Sequence, residues 1–167
     1  MTRIADMTQA TTRNGITERL AAVNWPGLAR FYVRIALAAA FLSAVGSRFG
    51  MYGKDVGWGN FANFTRYTAE VNSFMPAWTI PSIAWIATAA EIFFALALLA
   101  DIWPRWIALG TGVLLALFGG AMAISFGIQS PLDYSVFSAS AAAFLLAVHE
   151  PSKSRAAWGC AAALNNP

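Results

Sequence analysis

One acidic side chain stands where a charge is expensive. Between Pro81 and Ala100 the chain reads PSIAWIATAAEIFFALALLA, twenty residues with a single ionisable group, Glu91, near the middle. At 1.5 Å of rise per residue this is about 30 Å of helix, the thickness of bilayer hydrocarbon. A carboxylate at that depth costs roughly 3 kcal/mol on insertion scales, so it marks a polar clasp between helices, a proton relay or a contact for a polar headgroup. Two arginines flank the preceding apolar run. Arg34 and Arg48 bracket thirteen uncharged residues, Ile35 to Ser47. That separation is about 21 Å along a helix, short of the hydrocarbon thickness, so at least one guanidinium must reach outward or find a partner inside. Counted from the inner boundary, Glu91 and Arg34 differ in depth by ~8 Å, which two long side chains can bridge, and a Glu91–Arg34 pair is the expectation. With no cation in reach, Glu91 would instead stay neutral and hydrogen-bond to a hydroxyl such as Thr88 or Tyr134.

A second polar cluster is expected at the opposite rim from Arg48, Lys54 and Asp133, with Tyr134 beside it. An Arg48–Asp133 ion pair there would tie the end of the first apolar run to the start of the last, and structural pairing is favoured over substrate binding. Other chemistries are closed by residue counts. A single cysteine, Cys160, allows no intrachain disulfide and no Cys-x-x-Cys pair. A single histidine, His149, excludes a bis-His haem within one chain and leaves no metal site in view. Redox chemistry would therefore need a partner or a diffusible quinone. His149 reads as an interfacial residue at a helix end, and Cys160 as a bystander.

These groups must be positioned by apolar helices. The chain is 58% hydrophobic and 11% charged, far from the soluble norm of about a quarter charged. Eleven basic against eight acidic residues give a net charge of +3, but no basic run is long enough for a nucleic-acid groove. Residues 1–26 read as a polar tail with a short helix near Ile16 to Val23, and 151–167 as a second tail. Between them, 27–150 carry four spans at about Gly27–Ser47, Pro81–Ala100, Trp106–Ile128 and Leu132–Val148. The second starts with a proline suited to a first helical turn. Ala36, Ala40 and Ala44 on the first span, and Gly112, Gly119, Gly120 and Ala123 on the third, are small residues that let helices approach closely and could also support an oligomer. Residues 48–80 are too polar to span. Within them Phe61, Phe64, Tyr67, Val71 and Phe74 form one stripe and Asn63, Arg66, Glu70 and Ser73 the opposite face, with Arg66 and Glu70 an i,i+4 pair. A helix lying flat on the membrane is favoured over a lid across the mouth of the helices. The fold class is thus all-α, a polytopic four-helix membrane bundle with one amphipathic surface helix. Four spans put both termini on one face, and the Arg and Lys distribution makes that face cytoplasmic.

On the second span, 100° per residue places Ala84, Ala87, Thr88, Phe94, Ala95 and Leu98 with Glu91, and Ile86, Phe93 and Leu96 opposite. Small residues mark helix contacts and bulky ones suit lipid, so Glu91 should face inward.

Several of these residues fall in an order that resembles the DoxX family. Arg34 followed by Phe41, Gly46 and Arg48 is similar to its opening motif, and Ala90-Glu91 through Asp101 and Arg105 to its second-span signature. Ser130-Pro131-Leu132-Asp133-Tyr134 resembles its closing segment, and the likeness covers about residues 28–148. Two departures stand out: Arg48 occupies the place where the family usually carries lysine, and Ala95 and Ala100 stand where it carries glycine. A role that needs a titratable lysine is not implied, although Lys54 is near. The resemblance implies a bacterial plasma-membrane protein that acts as a membrane subunit or quinone-side anchor of an oxidoreductase or redox-homeostasis complex, with Glu91 and Arg34 in its buried polar site. The alternatives are a non-enzymatic membrane scaffold or assembly factor, and a small proton-coupled transporter using Glu91.

Overall fold

The computed structural model describes residues 24–150, which form helices and turns with no strand among them. The expected N-terminal helix near Ile16, and Cys160, lie outside the described residues. Three helices are long and apolar enough to cross a membrane: α1 (Trp25–Arg48), α3 (Ile80–Leu99, led in by a short 3-10 turn at Ala77–Thr79) and α4 (Pro104–Phe126). Between the first two lies α2 (Phe61–Val71), and the chain continues through α5 (Gln129–Asp133) to α6 (Val136–His149). Bulky apolar side chains such as Ile86, Phe93, Leu96, Leu117 and Ile124 point out of the protein. An apolar exterior over helices of this length is the surface of a helical membrane protein.

Local chemistry explains the helix limits. Asn24 caps α1 through its side chain, which accepts from the Gly27 amide at 3.1 Å, with Pro26 in the first turn. Asn60 does the same for α2, accepting from the Asn63 amide at 2.8 Å. The expected continuous fourth span is broken. Ser135 adopts a left-handed conformation at φ 55°, separating α5 from α6, and the fourteen residues of α6 cover only about 21 Å. The polar Asp133-Tyr134-Ser135 step is where the helix stops and restarts.

The long helices and α6 contact one another in a ring, with α1 mainly against α3 and α4 mainly against α6. Their apolar core fills the half nearer Arg34, where Leu37, Phe41, Leu98, Ile107 and Leu146 meet over alanines that are almost wholly buried. Ala36 and Ala40 do not join it. They lie on the exposed side of α1, because Leu37, Ala38, Phe41 and Val45 turn inward instead. Of the three α4 glycines expected to pack closely, two do. A side chain at Gly112 would strike the Phe144 ring and one at Gly119 the Phe137 ring, whereas Gly120 faces open space. Across the first of these contacts, the Ser140 hydroxyl donates to the Gly112 carbonyl at 2.8 Å.

The other half of the ring is closed by α2, which packs on α1, α3 and α4. Phe64, Thr68 and Val71 are buried against the long helices while Ala62, Arg66, Ala69 and Glu70 stay exposed, so α2 is an amphipathic helix that also covers this half of the ring. The connection that delivers it makes tight backbone turns. Gly57 and Gly59 both have positive φ, and a Cβ at either would run into Ser47 Oγ or the Lys54 carbonyl. Only glycine suits such positions.

Candidate functional site

Thr88 and Glu91 lie one turn apart on the inward face of α3, with Ala84 and Ala95 above and below. Ala84, Thr88, Glu91, Ala95 and Leu98 are buried while Ile86, Phe93 and Leu96 are exposed, the division that helical periodicity predicts. Opposite them, the last residue of α1 turns its guanidinium inward. Arg48 Nη2 donates to Glu91 Oε1 at 2.7 Å and Nη1 to Thr88 Oγ1 at 2.8 Å. The Thr88 hydroxyl in turn donates to the Ala84 carbonyl at 2.8 Å, which leaves its lone pairs for Arg48. Both ionic side chains are almost sealed, at 5% and 3% exposure.

The site has a roof. The Phe64 ring from α2 lies against the guanidinium, with Arg48 Cζ 3.7 Å from its centroid, a cation–π contact in a desolvated setting. Around it Phe49, Phe61, Trp85, Trp58 and Tyr67 stack edge to face and plane to plane, with Phe61 and Trp85 4.2 Å apart between centroids. At the far end of the lid the Ser125 hydroxyl of α4 donates to the Val71 carbonyl. Two atoms of the pair itself stay without partners: Arg48 Nε, a donor, and Glu91 Oε2, an acceptor. Such atoms are costly to bury and are usually satisfied by water or by a ligand.

This corrects the expected Glu91–Arg34 pair. Arg34 sits at the other end of α1, where it grips Asp101, in the turn after α3, and Glu150, at the end of α6. Its Nη2 lies 2.6 Å from Glu150 Oε1, and its Nε donates to the same oxygen at 3.0 Å. The reason is register. α1 and α3 pack antiparallel with the end of α1 at the level of Thr88, so Arg34 arrives at the level of Asp101, about 15 Å along α3 from Glu91. Nearby, Arg30 Nη1 donates to the His149 carbonyl at 3.4 Å.

The Arg48–Asp133 pair is also corrected, since Arg48 is committed to α3. Asp133 and Tyr134 lie exposed around the end of α5, and Lys54 is exposed in the connection before α2. The rim cluster is therefore not assembled. Arg66 does not pair with Glu70 but donates through Nη2 to Asn63 Oδ1 at 2.8 Å. Asp101, Glu150 and Phe64 were available in sequence as a turn acid, an acid beside proline and one member of an aromatic stripe. None of those signals specifies an ionic partner.

Compared with family models, with curated proteins and with solved structures, the chain finds no match.

Proposed function

We propose that this chain is a DoxX-like four-helix protein of the bacterial inner membrane, the membrane subunit or quinone-side anchor of an oxidoreductase complex. The observation that carries the reading is the orphaned donor and acceptor on one buried ion pair, Arg48 Nε and Glu91 Oε2. A quinone carbonyl accepts hydrogen bonds and a quinol hydroxyl donates them, so the two atoms match both forms of one headgroup. A quinone held there supplies an acceptor for two electrons and two protons. Arg48 would orient the oxygen, and Glu91 would be the adjacent group able to take or give a proton. The electrons come from a partner oxidoreductase, because the chain carries one cysteine and one histidine.

Of the charged residues quoted for the resemblance, Arg34 pairs with Asp101 and Arg48 with Glu91. On this reading α5 and α6 together make the fourth crossing, and the arginine-rich face is the cytoplasmic one.

A scaffold reading is favoured by one feature, the matched charges of the enclosed pair, which suffice to clasp α1 to α3. Extraction of lipids from the purified protein separates the two readings. Quinone retained by the wild type and lost from the charge-free double variant R48M/E91L supports the anchor. A folded wild-type protein that neither retains nor takes up quinone overturns it and leaves the clasp.

A further inference from the structure

The outer face of α2, turned away from the Arg48–Glu91 pair, forms one wall of a groove of about 550 Å³. On α2 it is lined by Ala62, Thr65, Arg66 and Ala69, and its other side by Ser73, Met75, Ala77, Ile80 and Pro81, a mostly apolar lining with Arg66 as its cation. The groove opens where the membrane-crossing stretch Ala77–Leu99 begins, next to Trp78, which is 81% exposed. Tryptophan at the end of a span marks the level of lipid headgroups. An apolar trough with a cation at its edge, at that depth, has the two halves of a phospholipid-binding site: a wall for the first part of an acyl chain and a guanidinium for a phosphate.

The charges on this face narrow the headgroup. Arg66 is held in place by Asn63 Oδ1 at 2.8 Å and meets no carboxylate among the described residues. Glu70, exposed one turn further on and just outside the groove's lining, meets no cation among them either. The two charges sit about 6 Å apart along the helix axis, unpaired with each other. A net anionic headgroup would gain at Arg66 and be repelled at Glu70. A headgroup carrying a primary ammonium two carbons from its phosphate satisfies both, and the ammonium can donate hydrogen bonds to the carboxylate.

We propose that the groove between α2 and the start of α3 binds a phosphoethanolamine phospholipid, with its phosphate on Arg66, its ammonium on Glu70 and an acyl chain against Ala69, Met75 and Pro81. The site lies on the opposite side of the lid from the buried pair and does not depend on what that pair binds.

Native mass spectrometry of the full chain in detergent, titrated with phosphatidylethanolamine, phosphatidylglycerol or phosphatidylcholine, tests it. The wild type should retain phosphatidylethanolamine about fivefold above the other two, the effect of one charge-assisted contact. R66Q should lower retention of all three lipids, and E70Q should remove the preference among them. A69F, which fills the trough and leaves both charges intact, should abolish retention and guards against loss of folding in R66Q. Equal retention of phosphatidylglycerol by the wild type, an unchanged preference in E70Q, or unchanged retention in A69F overturns the proposal.

Discussion

Arg48 of α1 rests on the ring of Phe64 of α2, with its Cζ 3.7 Å from the ring centroid, while its two terminal nitrogens hold Thr88 and Glu91 of α3. One side chain thus joins three helices. The lid is not an independent surface element; it is fastened to the cation that neutralises the acid inside the membrane span. Any movement of α2 changes the surroundings of the ion pair, and any loss of Arg48 removes the cation beneath Phe64.

Breaking the pair from one side should be far worse than removing it. E91L or R48M alone leaves one charge buried without its counter-ion and is expected to cost about 3–5 kcal/mol. The double variant R48M/E91L, which replaces both charges with apolar groups, should recover most of that loss. Equilibrium unfolding in mixed micelles measures the cycle. Additive losses in the double variant would mean that Arg48 and Glu91 are not coupled.

Phe64→Leu keeps an apolar side chain under Arg48 but removes the π face. The cation–π part should cost about 0.5–2 kcal/mol, and the loss should appear first as faster amide hydrogen exchange across Phe61–Val71. Exchange in the core stretch around Leu98 and Ile107 should change little, because those residues belong to the other half of the ring. Equal acceleration in both places would show that α2 does not act as a separate lid.

The inward face of α3 was legible because periodicity alone fixes which residues share a side. The identity of Glu91's partner was not, because it depends on how far one helix slides along another. Depth counted from span ends assumes that the ends are level, but α1 stops at Arg48 where α3 has already run eight residues from Ile80 to Thr88. The aromatic stripe of α2 was similarly legible as amphipathic, while its seat among α1, α3 and α4 depends on that same offset, which leaves the space it fills. The alanine ridge on α1 stays out of the core for a related reason. A small-residue pattern licenses close approach without saying that a neighbour takes it up, and Leu37 and Phe41 supply more apolar area to the core.

At the other end of α1, the two acids on Arg34 should contribute unequally. Asp101 is 59% exposed, and an exposed pair is worth about 1 kcal/mol or less, so D101N should be mild. Glu150 is 3% exposed, and E150Q should cost about 3 kcal/mol by leaving Arg34 half-buried with its better-shielded counter-ion gone. Thermal unfolding of the two variants in the same detergent ranks them. The reverse order would place the stabilising contact in the α3–α4 turn and not at the end of α6.

The α4 glycines make the sharpest packing prediction, since three positions of the same residue type meet different surroundings. At Gly112 a Cβ would fall 2.9 Å from the Phe144 ring, and at Gly119 it would fall 2.8 Å from the Phe137 ring. Each alanine there must push α6 away from α4 or rotate a ring, and overpacking of this kind costs about 1–3 kcal/mol. G112A also strains the approach that lets Ser140 reach the Gly112 carbonyl, so it should be the worse of the two. At Gly120 a Cβ meets no atom within 4 Å, and G120A should be neutral or stabilise by up to about 1 kcal/mol through helix propensity alone. Unfolding of the three single variants reads the order directly. A loss at Gly120 comparable to that at Gly119 would place a helix against the open side of α4, as a second copy of the chain would.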